Sequence, residues 1–262
     1  MDRINVFLAD WQVLFREGIH FTLSGEEDIN VIGEATGNEE ALEFIIANSP
    51  HIAILNSNHS EFSGINLTRR ISREMPSVSV ILITDTGDTG TYLAALKCGA
   101  RACVTKNIDP DEIIKLVRDV AGGARPVSEL LLKPEIAVGV IDEFHYFENL
   151  SKEVDGLLAD LSAIENKILH SASAGNTIQQ IAGELDTGES AVRSHLENVV
   201  YKLVKNSHDR ELIETAQSKL ASLLTRTVKR GKNQPEYVSR EEFDTFRESI
   251  KEQFKSFLKG LS

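Results

Sequence analysis

Five short apolar runs alternate with helical patterns over the first 121 residues, and this alternation most constrains the fold. The runs are Ile4–Ala9, Ile29–Ala35, Ile52–Asn56, Val78–Thr84 and Ala102–Thr105, too short for buried helices and rich in β-branched residues. Amphipathic stretches such as Glu39–Asn48 and Asp109–Val120 lie between them. Strand–helix alternation with short loops predicts a doubly wound α/β unit, a five-stranded parallel sheet covered on both faces. Ligands and chemistry gather at the carboxyl ends of such strands. The residues there are Asp10 and Trp11, Asn56, Thr84 and Lys106.

This constellation resembles the receiver domain of two-component response regulators over residues 3–121. The resemblance rests on LADWQVLFREGI, PHIAILNSNHSEFSGINLTRRI, VSVILITDTGD and AALKCGARACVTKN, with the register pinned by Pro50 and Gly64. It implies two acidic residues after the first strand that hold a divalent metal, an aspartate ending the third strand as phosphoryl acceptor, and a Thr/Ser and a Lys. Asp10, Thr84 and Lys106 match. The second acidic position is Trp11 and the acceptor position is Asn56. The aromatic residue that the family places after its Gly-Ala pair, as a switch, is Cys103. A carboxamide is a poor nucleophile without charge, and an indole cannot ligate a hard cation that requires oxygen ligands. The pocket therefore reads as a degenerate phosphorylation site, a pseudo-receiver with no metal and no cofactor. Its residues either bind a small-molecule or protein signal, or Trp11 fills the space of a lost hydrated metal. Cys98 and Cys103 are either a redox pair or, as buried strand cysteines usually are, inert small hydrophobes.

Residues 122–160 form a connector that opens with Gly122-Gly123 and Arg125-Pro126. Leu150, Val154, Leu157 and Leu161 recur at helical spacing and predict a helix, either a dimer-forming signalling element or one packed on its neighbours.

Residues 161–225 read as helical. The stretch LSAIENKILHSASAGNTIQQIAGELDTGESAVRSHLENVVYKLVKNS resembles the DNA-binding domain of LuxR/FixJ/NarL-class regulators without a gap. Ser162 with Glu165 makes a capping box, and Ala174-Gly175-Asn176 a helix-ending turn. A scaffold helix starts at Ile178, Leu185–Gly188 turns, and Glu189–Leu203 is the recognition helix, with Val192, Leu196, Val199, Val200 and Leu203 on its buried face. Such a helix presents its exposed N-terminal part to the major groove. The candidates are Ser190, Arg193, Ser194 and His195, with Glu189, Glu197 and Asn198 beside them. Thr177, Gln179 and Gln180 are placed to reach phosphates, and Lys202 and Lys205 to touch the DNA backbone. Gln179 and Ser190 stand where this class usually carries Lys, which leaves open a protein-binding use of the module.

Residues 226–262 hold a basic segment, Arg226 to Lys232 with Lys229 and Arg230, read as a phosphate-gripping arm past the last helix or as a solvated linker. A C-terminal amphipathic helix is predicted from Ser239, with Phe243, Phe246, Ile250, Phe254, Phe257, Leu258 and Leu261 on one face. Burial of that face against a second copy is the favoured reading, with the reader domain, another protein or a membrane surface as alternatives.

The net charge of −12 argues against blanket affinity for nucleic acid. It is uneven: residues 1–121 carry −8, 122–160 carry −5, 161–225 carry −2 and 226–262 carry +3. With two cysteines, no signal-peptide pattern and no apolar run long enough to span a bilayer, a cytoplasmic protein is expected. No nucleophile triad, metal-ligand spacing or phosphate loop is visible, so an enzyme is not expected. The expectation is a transcription regulator that binds double-stranded DNA as a homodimer without aspartyl phosphorylation. The alternative is a non-DNA adaptor built from the same modules.

Overall fold

The computed structural model describes residues 3–57, 63–153 and 158–230. Val154, Leu157, Lys232 and the C-terminal helix expected after Ser239 lie outside the described residues, as do the side chains of Lys229 and Arg230. Among the described residues, no helix is long and apolar enough to cross a membrane.

The first half is the expected doubly wound unit. Strands β1 (Ile4–Ala9), β2 (Ile29–Ala35), β3 (Ile52–Asn56), β4 (Ser79–Thr84) and β5 (Ala102–Thr105) form one parallel sheet in the order β2-β1-β3-β4-β5. All five residues of β3 are buried, as the central strand of a two-faced sheet requires. Helices α1 (Val13–Ser24) and α5 (Pro110–Ala121) cover one face, over Val6, Leu8, Ile54, Ile81 and Ile83. Helices α2 (Asn38–Asn48), α3 (Gly64–Glu74) and α4 (Thr89–Cys98) cover the other. Local chemistry fixes the helix starts. The side chains of Ser63, Asp88 and Asp109 each accept a backbone N–H of the first turn. Gly64 is required by proximity: a Cβ there would meet the Asn56 carbonyl oxygen at 2.1 Å.

The connector is more structured than its sequence pattern suggests. A 3-10 segment (Pro126–Leu132) leads into α6 (Pro134–Glu153), whose buried face is Ile136, Ala137, Val140, Ile141, Phe144 and Phe147. The expected stripe from Leu150 to Leu161 is therefore corrected. The dominant apolar face lies one to four turns earlier, and Leu161 sits in non-helical chain that leads into the next helix. Gly139 contributes to this packing, since a Cβ would meet the Leu93 side chain of α4 at 2.7 Å.

The second half contains α7 (Ala163–Ser173), α8 (Ile178–Glu184) and α9 (Glu189–Arg230). Both short helices start with a full capping box, Ser162 with Glu165 and Thr177 with Gln180. Gly175 takes a left-handed φ of 87° in the turn after α7. The predicted recognition face is buried as read: Val192, Leu196, Val199 and Leu203 are fully enclosed. The helix does not stop at Leu203, however. It continues into the supposed arm as far as Arg230, 42 residues or ~63 Å at 1.5 Å per residue. No glycine or proline interrupts residues 189–230, which is why propagation costs little.

One apolar cluster runs from the sheet face under α2–α4, through Val127, Leu131 and the α6 face, to Ile168, Leu169, Ile181 and Leu203. The two halves share a core. Phe147→Ala, which removes a fully buried ring at their junction, is expected to cost ~3–5 kcal/mol. In urea, Trp11 fluorescence from the first half and helical circular dichroism should fall at one shared midpoint. Two separated midpoints in the unmodified protein would refute the shared core.

Candidate phosphorylation pocket and nucleic-acid interface

The strand-end pocket is closed by its own side chains. Asp10 directly follows β1 and is 4% exposed. Its Oδ2 accepts the Asn56 Nδ2–H at 2.9 Å and lies 3.0 Å from the Lys106 ammonium, while Oδ1 accepts the Gln12 backbone N–H at 2.7 Å. Lys106 also donates to Gln12 Oε1 at 2.8 Å and pairs with Asp85 at 3.2 Å. Its charge lies 5.0 Å from the Phe15 ring centroid and 5.7 Å from that of Trp11. Thr84 is fully buried, but its hydroxyl donates to the Thr86 carbonyl at 2.8 Å and turns to its own loop. The sequence-predicted set of Asp10, Asn56 and Lys106 is thus one network, with Trp11 at its edge and Thr84 beside it.

Trp11 does not fill the space of a hydrated metal, which corrects that expectation. It is 41% exposed and forms part of a lid over Lys106. The Asn56 amide and the Lys106 ammonium instead satisfy the carboxylate. The void left beneath Asp10 and Asn56 is about 10 Å3, on the order of one water. Gln12, Phe15 and Asp85 were missed by the sequence reading, and the only signal for them was proximity to the strand ends.

Cys98 and Cys103 are both buried. Burial pushes each thiol up to about 12, and for Cys103 a charge on Cys98 would push further. Cys103, at the switch position, shares the core with Tyr92 of α4, whose ring carries the Lys133 ammonium 4.3 Å from its centroid. A thiol of this kind is about one part in ten thousand thiolate at pH 8. Neither cysteine should react with a thiol reagent at pH 8 in the folded protein, and both should react once unfolded by urea. Rapid labelling of the folded protein would restore the redox reading.

On the helix-turn-helix, Ser190, Arg193 and Ser194 are exposed on the first turns of α9, and His195 is half-buried. The Ser194 hydroxyl donates to the Ser190 carbonyl at 3.1 Å. Arg193 pairs with Glu189 at 3.3 Å and reaches Glu129 of the 3-10 segment at 3.5 Å. Burial, and then the charge of Arg125, lower the Arg101 guanidinium of the first half, and the charge of Glu197 on α9 offsets part of this. The first turn of α9 thus meets the connector through Arg193 and Glu129. Gln179 is exposed on α8. Thr177 and Gln180 are exposed too, but hold each other in the capping box.

Lys202 is held inside the module. Its ammonium lies 2.6 Å from Glu165 and donates to the Asp160 carbonyl at 3.0 Å, which ties α9 to the start of α7. Burial raises the Glu165 carboxyl, but Lys202 and the Ser162 N–H more than offset this and hold it below its ordinary value. Asn206, also unforeseen, clamps the chain before α7: its amide donates to the Ala159 carbonyl and accepts the Ala159 N–H, both at 2.8 Å. Lys205 remains exposed. Lys229 and Arg230 share the α9 backbone rather than a separate arm.

The depressed Glu165 carboxyl gives a pH prediction. A lowered folded-state value contributes stability above the ordinary carboxylate range, which is lost as pH falls through the folded value. Lys202→Ala should destabilise the protein by ~1–3 kcal/mol at pH 7. The gap to wild type in urea melts should shrink below about pH 4.5, the ordinary value. A gap independent of pH would refute the pairing.

Residues 6–118 match the response regulator receiver domain family. Residues 159–216 match the luxR family of bacterial regulatory proteins. Among curated proteins, the chain is 28% identical over 204 residues to the transcriptional regulatory protein LnrK of Bacillus subtilis, covering 76% of this chain and 90% of that one. It is 29% identical over 220 residues to the probable transcriptional regulatory protein NarL of Mycobacterium tuberculosis, covering 84% and 96%. Among solved structures, it is similar to the signal receiver domain of the response regulator NarL from Mycobacterium tuberculosis. The identity there is 31%, covering 47% of this chain and 99% of that one, with a TM-score of 0.46.

Proposed function

We propose that this chain, a response regulator that joins a receiver domain to a luxR-family helix-turn-helix, reads double-stranded DNA in a sequence-specific way without aspartyl phosphorylation. Its relatives are transcriptional regulatory proteins, and transcription regulation is the shared activity. The observation that carries the phosphorylation-independent reading is the bond from the Asn56 amide to Asp10. An amide sits at the acceptor position, and the one carboxylate beside it is saturated by Asn56, Gln12 and Lys106. The carboxamide at the acceptor position offers no carboxylate oxygen for a phosphoryl group, and Trp11 stands at the second acidic position. The receiver then serves as a scaffold for the reader.

Ser190, Arg193, Ser194 and His195 on α9 are the proposed base- and phosphate-facing set, with Gln179 and Lys205 at the flanks. Arg193 is the strong cation of the first turns. Its bonds to Glu189 and Glu129 are long surface pairs, which a DNA phosphate can displace. The protein acts as a homodimer, because a helix-turn-helix reads one half-site and paired modules match a two-fold site.

The test is retention of fragmented genomic DNA by the untreated protein, with a parallel arm in acetyl phosphate and magnesium. A two-fold symmetric motif, equally enriched in both arms, is expected. Arg193→Ala should weaken binding to that motif by ~1–3 kcal/mol, while Lys106→Ala, checked for folding by circular dichroism, should leave it nearly unchanged. Enrichment only in the acetyl phosphate arm would refute phosphorylation independence. No enrichment in either arm would favour the adaptor reading, for which the −2 charge of residues 161–225 is the supporting feature.

A further inference from the structure

Between the receiver and α9 lies a cleft of about 180 Å3, and of its described lining residues Lys205 alone also belongs to the proposed DNA-facing set. Its walls are cationic. Arg69 and Arg73 come from α3, Lys97 from α4, and Lys205 and His208 from α9, with Ser72 among them. None of the described residues that line it is acidic, in a protein whose net charge is −12. The floor is apolar, made by Cys98 and Val204, and the Tyr201 ring stands 63% exposed at the rim.

We infer that this cleft binds a small phosphate-bearing molecule, held by Arg73, Lys205 and His208 across the junction of receiver and reader. The lining polar side chains offer N–H and O–H donors, and an oxyanion is the ligand that only accepts. The cleft is also held in shape without a ligand. Arg69 pairs with Glu211 at 3.1 Å, and Lys97 with Glu143 at 2.6 Å, so α3 and α4 are each anchored to a neighbouring helix. Glu143 also lies 3.6 Å from Arg210 of α9. Those two cations are thereby partly neutralised. Arg73 touches the exposed Glu74 next to it, a weak surface pair that a phosphate can displace. Asp209 lies near Lys205 and His208, and its carboxyl is raised by burial despite their charges. An arginine fork with a lysine matches phosphate geometry and charge, and the Tyr201 face suits a planar group beyond it.

DNA also carries phosphate, so the experiment separates the two sources. Full-length protein is titrated with pyrophosphate, with ADP and with a short random duplex, read by calorimetry and by the shift in melting temperature. Saturable binding of pyrophosphate or ADP is expected, weakened about tenfold (~1.4 kcal/mol) by Arg73→Gln and by Lys205→Gln. Circular dichroism melts check that both variants fold, as substitutions at exposed positions should. Absence of saturable binding by either small anion would overturn the inference, as would binding unaffected by both substitutions. It would also fail if only the duplex bound and Arg73→Gln weakened that binding, since the cations would then serve DNA. The inference does not depend on whether the helix-turn-helix reads sequence.

Discussion

The arrangement depends on one apolar seam. The sheet face under α2–α4 is not closed by those helices alone: Tyr92, Ala95 and Leu96 of α4 share a cluster with Val127, Leu131, Ile136 and Val140 of the connector. Those residues share it in turn with Ile168, Leu169 and Leu203 of the reader. Contacts between domains of one chain are usually more polar and looser than this. Parting the halves would expose the faces of the 3-10 segment and α6 together, at ~25 cal/mol for each Å2 of apolar surface. Polar pairs lie over the seam. The triad of Lys97, Glu143 and Arg210, and the pair of Arg69 with Glu211, fix how α4, α6 and α9 meet. Apolar burial supplies the attraction, and the charges supply the register.

Much of this was legible in the residues. The strands β1, β2, β3 and β5 fall where the apolar runs predict, because a short β-branched run between turn signals has few other solutions. The buried face of α9 and the Ser162 capping box were equally readable, since both are local patterns. The failures share a cause. The extent of α9 depends on what is absent, a breaker between residues 204 and 230, and family resemblance suggested a stop that the chain does not encode. The connector helix was misplaced because Leu150 and Leu161 fit a helical period. The heavier stripe from Ile136 to Phe147 gains its burial only from the receiver and the reader on either side.

The site was legible as a list of residues but not as an arrangement. Asp10, Asn56 and Lys106 could be named from strand ends, yet their mutual bonds could not. Those bonds invert the role given to Trp11. An isolated buried carboxylate beside Lys106 would be a strong acceptor looking for partners. The Asn56 amide supplies one through its N–H, the Gln12 backbone another, and the ammonium a third. With the carboxylate satisfied from within the protein, the indole is left at the edge, over the lysine. The Asn56 amide at this strand end therefore helps to satisfy the carboxylate beside it.

Magnitudes also separate the cations that can turn to DNA from those that cannot. Lys202 donates at 2.6 Å to a carboxylate that is nearly buried, and to a carbonyl that enters α7. Removing it would leave that charge without its partner, a cost of ~1–3 kcal/mol. Arg193 holds two partners at 3.3 and 3.5 Å, all three side chains well exposed, where such pairs contribute about 0–1 kcal/mol. A phosphate or a guanine edge offers an arginine more than that. The acidic partners Glu129 and Glu189 thus set a low threshold for Arg193, whereas Glu165 removes Lys202 from the interface. Under the proposed function, the first turns of α9 would exchange a protein carboxylate for DNA while the module that carries them stays intact.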